Sequence, residues 1–324
     1  MNAVLKAERV VKTFGSTRAV DDLDLEIAKG TTCGFIGPSG AGKTTTIRLI
    51  MSILFPDSGS LSVLGLASAL QAKDRIGYLP EERGVYRKMS VDAFLLYLAR
   101  LKGVAVDVAN ERARRLLSRL GLDDVGKKKC EDLSKGMLQR VQFVGSIINE
   151  PELLILDEPF SGLDPVSVRA LKELVADERR RGATILLSTH VMAQAEELCD
   201  RVVMIHKGRK VLDEPMSNLR RQFDRRRIRF EAMDAGADLQ PLRALPFVAS
   251  VTAGGETSEV LLTEGTDPAD AMRKIAASIA PARIELVRRR LEDVFVELVA
   301  ADGKDSAHAL RSHLQGLGAE GISA

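Results

Sequence analysis

The sequence predicts an α/β domain on a largely parallel sheet, followed by a small α+β domain of ferredoxin-like order, and three observations lead there. The stretch "TTCGFIGPSGAGKTTTIRLIMSIL" passes from a short apolar strand through a glycine-rich turn into a helix, with Ile47, Ile50, Met51 and Leu54 at helical spacing. "PELLILDEP" and "GATILLSTH" are continuous apolar runs, as expected of strands buried on both faces of a parallel sheet. They end in Asp157 and Glu158, and in Thr189 and His190, and ligand groups gather outside the carboxyl ends of strands in such sheets. After "MSNLRRQFDRRRIRFEA" the rhythm changes. Strand candidates at Ile228–Glu231, Val248–Thr252, Val260–Thr263 and Ile284–Val287 alternate with helices near Leu239–Leu245 and Pro268–Ala280, giving βαββαβ order.

Between the glycine loop and the acids, about residues 90–148, "VDAFLLYLARLKG", "ANERARRLLSRLGL" and "GMLQRVQFVGSIINEP" all read with helical period, which predicts a helical insertion. "RVVMIHKGRKVLDE" reads as a hairpin turning at Lys207–Gly208. The expected boundaries are 1–222 for the larger domain, 223–300 for the smaller, closed by "LEDVFVELV" as an amphipathic helix, and 301–324 for a flexible tail rich in Ala, Gly and Ser. No repeat of solenoid or propeller period is present.

With 47 Lys and Arg against 45 acidic residues, the net charge of +2 gives no global case for a nucleic-acid binder. Basic clusters at Lys127, at Arg179 and from Arg220 to Arg229 are interspersed with acids, and aromatic residues make up only 4%, so they read as solvated faces. The Arg220–Arg229 cluster has a second reading, contact with anionic head groups. Cys33, Cys130 and Cys199 lack CxxC spacing, which suggests neither zinc nor a disulfide framework and fits a reducing cytoplasm. The start "MNAVLKAERVVKTFG" has no apolar signal region, and no apolar stretch is long enough to span a bilayer, so membrane work would require another chain.

"GPSGAGKTT" fits G-x-x-x-x-G-K-[ST] in the context that gives the pattern meaning, after a strand and before a helix. Such a loop turns its N–H groups around β- and γ-phosphates, a lysine (Lys43) adds positive charge, and a hydroxyl (Thr44) ligates Mg²⁺. Asp157 and Glu158 offer a partner for a Mg²⁺-bound water and a carboxylate that polarises an attacking water. The plainer reading is a helix cap, but two adjacent acids at a buried strand end are costly without a cation or water. A lone histidine is ordinarily a satisfied core residue; at a strand terminus beside this loop, His190 can instead hydrogen-bond a γ-phosphate. In "LSKGMLQR", Ser134 is either an ordinary N-cap or, with Gly136, part of a helix start aimed at a phosphate held by another molecule.

"GPSGAGKTT", "LSKGMLQR", "LLILDEP", "SGLDP" and "STH", in this order and spacing, resemble the nucleotide-binding subunit of an ABC transporter over about Val4 to Leu219. "IRFEA…LEDVFVELV" is similar to the accessory C-terminal domain of many bacterial ABC-2-type exporter ATPases. The resemblance implies a P-loop NTPase core of ABC type, with ATP and Mg²⁺ as ligands. It also implies a head-to-tail homodimer sharing two sites and an integral membrane permease as partner, received in a groove between Glu81–Ser90 and the helical insertion. No nucleic-acid partner is expected, and the expected location is cytoplasmic, peripheral on the inner face of the cell membrane.

By residue, the resemblance implies that Phe14 stacks on adenine and that Gly37, Pro38, Ser39, Gly40, Ala41, Gly42, Lys43, Thr44 and Thr45 hold the phosphates. Asp157, Thr44 and Glu81 serve the metal, Glu158 is the general base and His190 the switch residue. Ser134 and Gly136 meet the nucleotide of the facing chain, and Asp164 links the two sites. Two positions depart from the commonest pattern. Glu81 stands where glutamine is usual, which keeps an oxygen ligand but adds negative charge facing the phosphates. Lys135 and Met137 replace the first glycine and the glutamine of the signature. Two rival readings stay open: a regulatory module that binds nucleotide with little or no turnover, and a soluble ABC ATPase. The latter predicts a coiled coil or second cassette, and the sequence shows neither.

Overall fold

The computed structural model describes residues 3–82, 84–222, 227–234, 236–254, 257–287 and 290–301. The expected tail at 301–324 lies outside the described residues apart from Ala301, as does the middle of the Arg220–Arg229 cluster. Two compact units divide the chain, Met1–Ser217 with Phe295–Ala324, and Asn218–Val294.

The apolar runs of the larger unit pair as a six-stranded sheet. Its strands are β3 (Thr32–Ile36), β5 (Ile76–Leu79), β6 (Leu153–Asp157), β7 (Thr184–Thr189), β8 (Arg201–His206) and β9 (Arg209–Pro215). Their order is β5-β6-β7-β3-β8-β9, parallel from β5 through β8 and antiparallel between β8 and β9. Every residue of β3, β6 and β7 is buried, which is why these strands carry no polar alternation. Because β3, β7 and β6 are neighbours, Ile36, Thr189 and Asp157 end side by side at one sheet edge. The β8–β9 hairpin turns at Lys207–Gly208, with φ of 47° and 79°, as the sequence predicted.

A second sheet of this unit, in order β2-β1-β4, is antiparallel: β1 (Ala3–Phe14), β2 (Thr17–Ala28) and β4 (Ser58–Val63). Helix α1 (Lys43–Ile50) packs Ile47, Leu49 and Ile50 into the same core as Leu5, Leu25, Phe35 and Val203. The predicted insertion is helical: α2 (Val91–Leu101), α3 (Val106–Arg119) and α4 (Lys135–Ile147). Ser90 caps α2 by accepting from the Ala93 N–H. Buried residues recur three or four apart on α3, at Ala109, Ala113, Leu116 and Leu117, the stripe a core-facing helix requires. Gly145 lets α4 approach α2, since a Cβ there would lie 2.6 Å from Leu98 Cδ1. The unit continues with α5 (Pro165–Arg180), α6 (Met192–Leu198) and α7 (Met216–Gln222), the last crossing the unit boundary. Among the described residues no helix is long and apolar enough to cross a membrane.

The smaller unit holds β10 (Arg227–Ala232), α8 (Gln240–Arg243), β11 (Val248–Gly254), β12 (Thr257–Leu262), α9 (Pro268–Ser278) and β13 (Pro281–Val287). Its sheet runs β11-β12-β10-β13, antiparallel throughout, which is the ferredoxin-like arrangement the βαββαβ pattern predicted. Ile228, Phe230, Leu242, Val260, Leu262, Ala271 and Ile275 form its core. Both helices are shorter than the sequence predicted. Pro246 and Pro281 disfavour helical conformation in Leu245 and Ala280, the residues before them, and α9 has already ended at Ile279, extended at φ −140° and ψ 128°. Helix α10 (Leu291–Ala301) runs across the unit boundary, and within the larger unit the Phe295 ring meets His206 edge-on, centroids 6.0 Å apart.

Candidate functional site

The loop after β3 is clamped from both sides, and this sets its shape. Gly42 has φ 108°, and a Cβ there would come within 2.3 Å of the Ala19 carbonyl oxygen. A Cβ at Gly37 would come within 2.2 Å of the Ile205 carbonyl oxygen. Only glycine fits at either point. The Gly208 N–H donates to the Ala41 carbonyl at 2.9 Å, and Asp21 N–H donates to the Gly208 carbonyl at 2.9 Å, so the β8–β9 turn props the loop. Helix α1 starts at Lys43 with no side-chain cap, leaving its first N–H groups and positive dipole end for whatever lies in front. Lys43 Nζ donates to the Gly37 carbonyl at 2.7 Å and the Pro38 carbonyl at 3.1 Å. Burial pushes the Lys43 ammonium below its ordinary range, and the carboxylates of Glu158, Asp157 and Glu81 oppose this.

Facing the loop are the ends of β6 and β7. Glu158 Oε1 and His190 Nδ1 lie 2.8 Å apart. This bond raises the His190 pKa above its ordinary value, with burial opposing and the Glu158 charge adding to it. Glu158 sits at φ 48°, left-handed backbone that costs a non-glycine residue about 1–2 kcal/mol, and its N–H is tied to the Ser188 carbonyl at 3.0 Å. The turn presenting His190 is fixed by Thr189, whose hydroxyl accepts from Val191 N–H and donates to Gln194 Oε1, both at 3.0 Å. Asp157 is fully buried, and neither carboxylate oxygen has a hydrogen-bond partner. Burial holds its carboxyl above the usual range, with the neighbouring Ser188 and Thr44 hydroxyls pulling the other way.

An open cleft of ≈ 440 Å³ is lined by Ser39, Gly40, Gly42, Lys43, Thr44, Thr45, Glu81, Glu158 and His190. Thr44 Oγ1 donates to Glu81 Oε2 at 3.3 Å across it. Sequence reasoning missed its other walls: Thr17, Arg18 and Ala19 of β2, Ser161, and the Lys207–Gly208 turn. Lys207–Gly208 was legible as a turn, but its place beside the loop follows from β8 pairing with β3, which no local pattern announces. Phe14, at the end of β1, stands outside the lining, 49% exposed, with Lys12 Nζ 5.6 Å from its ring centroid.

Ser134, Gly136 and Asp164 also lie outside the cleft lining. Ser134 caps α4, accepting from Met137 N–H at 3.3 Å. Asp164 caps α5, accepting from the N–H groups of Val166 and Ser167, each at 3.0 Å, and from the Ser167 hydroxyl. The two starts are close: a Cβ on Gly136 would lie 3.5 Å from Leu163 Cδ2. Gln139 Nε2 donates to the Pro159 carbonyl at 3.3 Å and joins α4 to the segment after Glu158.

The cleft suits a hard divalent cation. Among the described residues no three His, Cys, Asp or Glu side chains form a protein cage. An orphaned buried carboxylate beside a threonine hydroxyl is the partial oxygen set that Mg²⁺ takes when phosphate and water complete its shell. Of the three residues expected to serve such an ion, Thr44 and Glu81 line the cleft, whereas Asp157 lies behind the lining, fully buried.

A parallel sheet ordered β5-β6-β7-β3-β8, a glycine loop behind β3 and a helical insertion between β5 and β6 define a P-loop ATP-binding domain of ABC type. Residues 20–161 match the family described as ABC transporter. Over 300 residues the chain is 39% identical to the uncharacterized ABC transporter ATP-binding protein YhaQ of Bacillus subtilis, covering 92% of this chain and 99% of that one. Over 313 residues it is 34% identical to Nod factor export ATP-binding protein I of Cupriavidus pinatubonensis, covering 94% and 93%. A solved ATP-binding subunit of an ABC transporter superposes with a TM-score of 0.64 at 32% identity, over 68% of this chain and 93% of that one. The chain belongs to the ABC transporter ATP-binding proteins.

Proposed function

We propose that this chain hydrolyses ATP as one half of a head-to-tail homodimer and thereby powers export through a separate membrane-spanning permease, against whose cytoplasmic face it sits. The observation that carries the hydrolytic reading is the Glu158–His190 pair, 2.8 Å apart and facing the Lys43 loop. A carboxylate held in left-handed backbone and oriented by an imidazole is a poised base, and general-base catalysis supplies about 10²–10⁴-fold in rate.

In this reading the Gly37–Thr45 loop, through the backbone N–H groups of every residue but Pro38, and the Lys43 ammonium bind the phosphates, and Phe14 provides the face for adenine. Asp157, Thr44 and Glu81 hold Mg²⁺, which supplies charge neutralisation at the phosphates when bound. Glu158 accepts a proton from the attacking water, and His190 keeps Glu158 aligned and donates toward the γ-phosphate. Ser134 and Gly136 of one chain close over the nucleotide of the other, and Asp164 lies where the two sites meet. One glycine loop and one signature start on each chain, standing apart within the chain, support this pairing. The ATP-bound pair is favoured by contacts made only with the γ-phosphate, and hydrolysis removes that difference in affinity. Export is supported by the Nod factor export relative, which covers 94% of the chain. Membership of the permease-facing surface is proposed for the exposed Tyr86 and Tyr97, whose rings meet edge-on at 5.2 Å on the expected groove.

The test is the mass in solution of the Glu158→Gln protein with and without MgATP. The expected result is a dimer only with MgATP, abolished by Lys43→Ala and by Ser134→Ala. A protein that binds ATP but stays monomeric, alone and with its permease, overturns the shared-site reading.

A further inference from the structure

We propose that Ser188 is a positioning residue of the cation site, its hydroxyl orienting the Asp157 carboxylate toward a divalent cation held with the nucleotide. The inference rests on the reading of the cleft as a metal–ATP site.

Ser188 and Asp157 are register partners on β7 and β6, so their side chains leave the same face of the sheet as neighbours. Both residues are fully buried, and Ser188 Oγ and both Asp157 carboxylate oxygens lack hydrogen-bond partners. Three orphaned polar atoms thus gather on two adjoining side chains, whereas those of Thr32, Gln142 and Asn149 are single atoms on β3, on α4 and in the loop after α4. Buried orphans cost stability and call for a ligand, an ion or water. The fold gives Ser188 no reason for a hydroxyl. Its strand is buried throughout and its other register partner is Phe35, so an alanine would suit the surroundings better. The Ser188 carbonyl meanwhile accepts from the Glu158 N–H at 3.0 Å, so one residue touches both acids. With the hydroxyl donating to one Asp157 oxygen, the other is left aimed at the cation or at a water bound to it. Outer partners of this kind change metal affinity by about 10–100-fold when removed.

The experiment is Mn²⁺ binding, read by electron paramagnetic resonance, to the full chain with a non-hydrolysable ATP analogue, comparing wild type, Ser188→Ala and Ser188→Thr. Nucleotide affinity in EDTA and melting temperature without ligand are measured alongside. Ser188→Ala is expected to weaken Mn²⁺ binding by about tenfold or more. It should leave metal-free nucleotide affinity unchanged, and the ligand-free protein should still fold and melt cooperatively. Ser188→Thr, which keeps the hydroxyl, is expected to bind Mn²⁺ near the wild-type strength. Unchanged Mn²⁺ affinity in Ser188→Ala overturns the proposal. A Ser188→Ala protein that misfolds or loses metal-free nucleotide binding makes the role structural and overturns it too. Wild type that binds the analogue but no Mn²⁺ overturns the reading of the cation site itself, a result distinct from any difference between variants.

Discussion

The cleft at the ends of β3, β6 and β7 and the paired starts of α4 and α5 carry the same kinds of residue in opposite conditions. In the cleft, Glu158 holds φ 48° and Lys43 is only 7% exposed, and behind the lining Asp157 is buried with both oxygens unpartnered. At the helix starts, Ser134 and Asp164 are exposed and satisfied by the N–H groups that any N-cap satisfies. Strain and desolvation that the fold does not compensate mark a place where a ligand's interactions are needed. A satisfied cap carries no such mark, so whatever Ser134 and Asp164 do beyond capping requires a second molecule. The cleft can be recognised from one chain; the helix starts cannot.

The largest expected effect breaks the comparison on the cleft side. Glu158→Gln should lower ATP turnover by about 10²–10⁴-fold while ATP still binds, as measured by steady-state hydrolysis beside equilibrium nucleotide binding. Loss of binding in step with turnover would make Glu158 a structural support of the loop.

On the other side, Ser134→Ala removes a cap worth about 0.5–2 kcal/mol, and a bond of 3.3 Å belongs at the low end. If Ser134 only caps, melting temperature falls slightly and turnover per folded protein stays the same. The shared-site reading expects turnover to fall well beyond the loss of folded protein, with the nucleotide affinity of the monomer unchanged. Asp164→Asn, which keeps a capping oxygen, should leave melting nearly unchanged and lower only the turnover of the dimer.

The contrast also explains what the sequence could reveal. Continuous apolar runs mark β3, β6 and β7 because strands buried on both faces carry no alternation, and the loop after β3 is legible because so few backbones tolerate its turns. The insertion and the small sheet follow from periods of three to four and of two. Helix ends were less legible: α8 is one turn where a longer helix was expected, and Pro246 accounts only for the loss of Leu245, the residue before it. Adjacency is the step that local sequence does not carry. Arg18, Ser161 and the Lys207–Gly208 turn reach the cleft because of sheet order and a prop between Gly208 and Ala41, and Ser188 matters through its register with Asp157. A serine in "LLST" looks like any strand residue until the opposing strand is known.

A smaller effect measures the strain directly. Glu158→Gly should be more stable toward chemical denaturation than Glu158→Ala, which equally lacks the bond to His190, by about 1 kcal/mol through release of left-handed strain, offset by the extra freedom glycine gives the unfolded chain. Glu158→Asn, which tolerates the same backbone, should fall between glycine and alanine, while Glu158→Val should be the least stable of the series. Equal stability across the series would mean the segment relaxes and that the strain is not stored at this residue.

The smallest effect concerns pH. Folding raises the His190 pKa above its ordinary 6.5, first through the bond to Glu158. A group raised on folding binds its proton more tightly in the native state, so its stabilising contribution is complete below the unfolded pKa. It declines as pH climbs past about 6.5 and is gone above the raised native value. The melting temperature of wild type should therefore exceed that of His190→Asn most clearly below the ordinary 6.5, and the gap should close as pH rises through the raised native value. In the Glu158→Gln background the same comparison should lose most of its pH dependence, because the neutral amide no longer favours the imidazolium. A gap between wild type and His190→Asn that widens with rising pH would have the wrong sign for a histidine charged by its bond to Glu158, and would assign His190 a neutral, packed role instead.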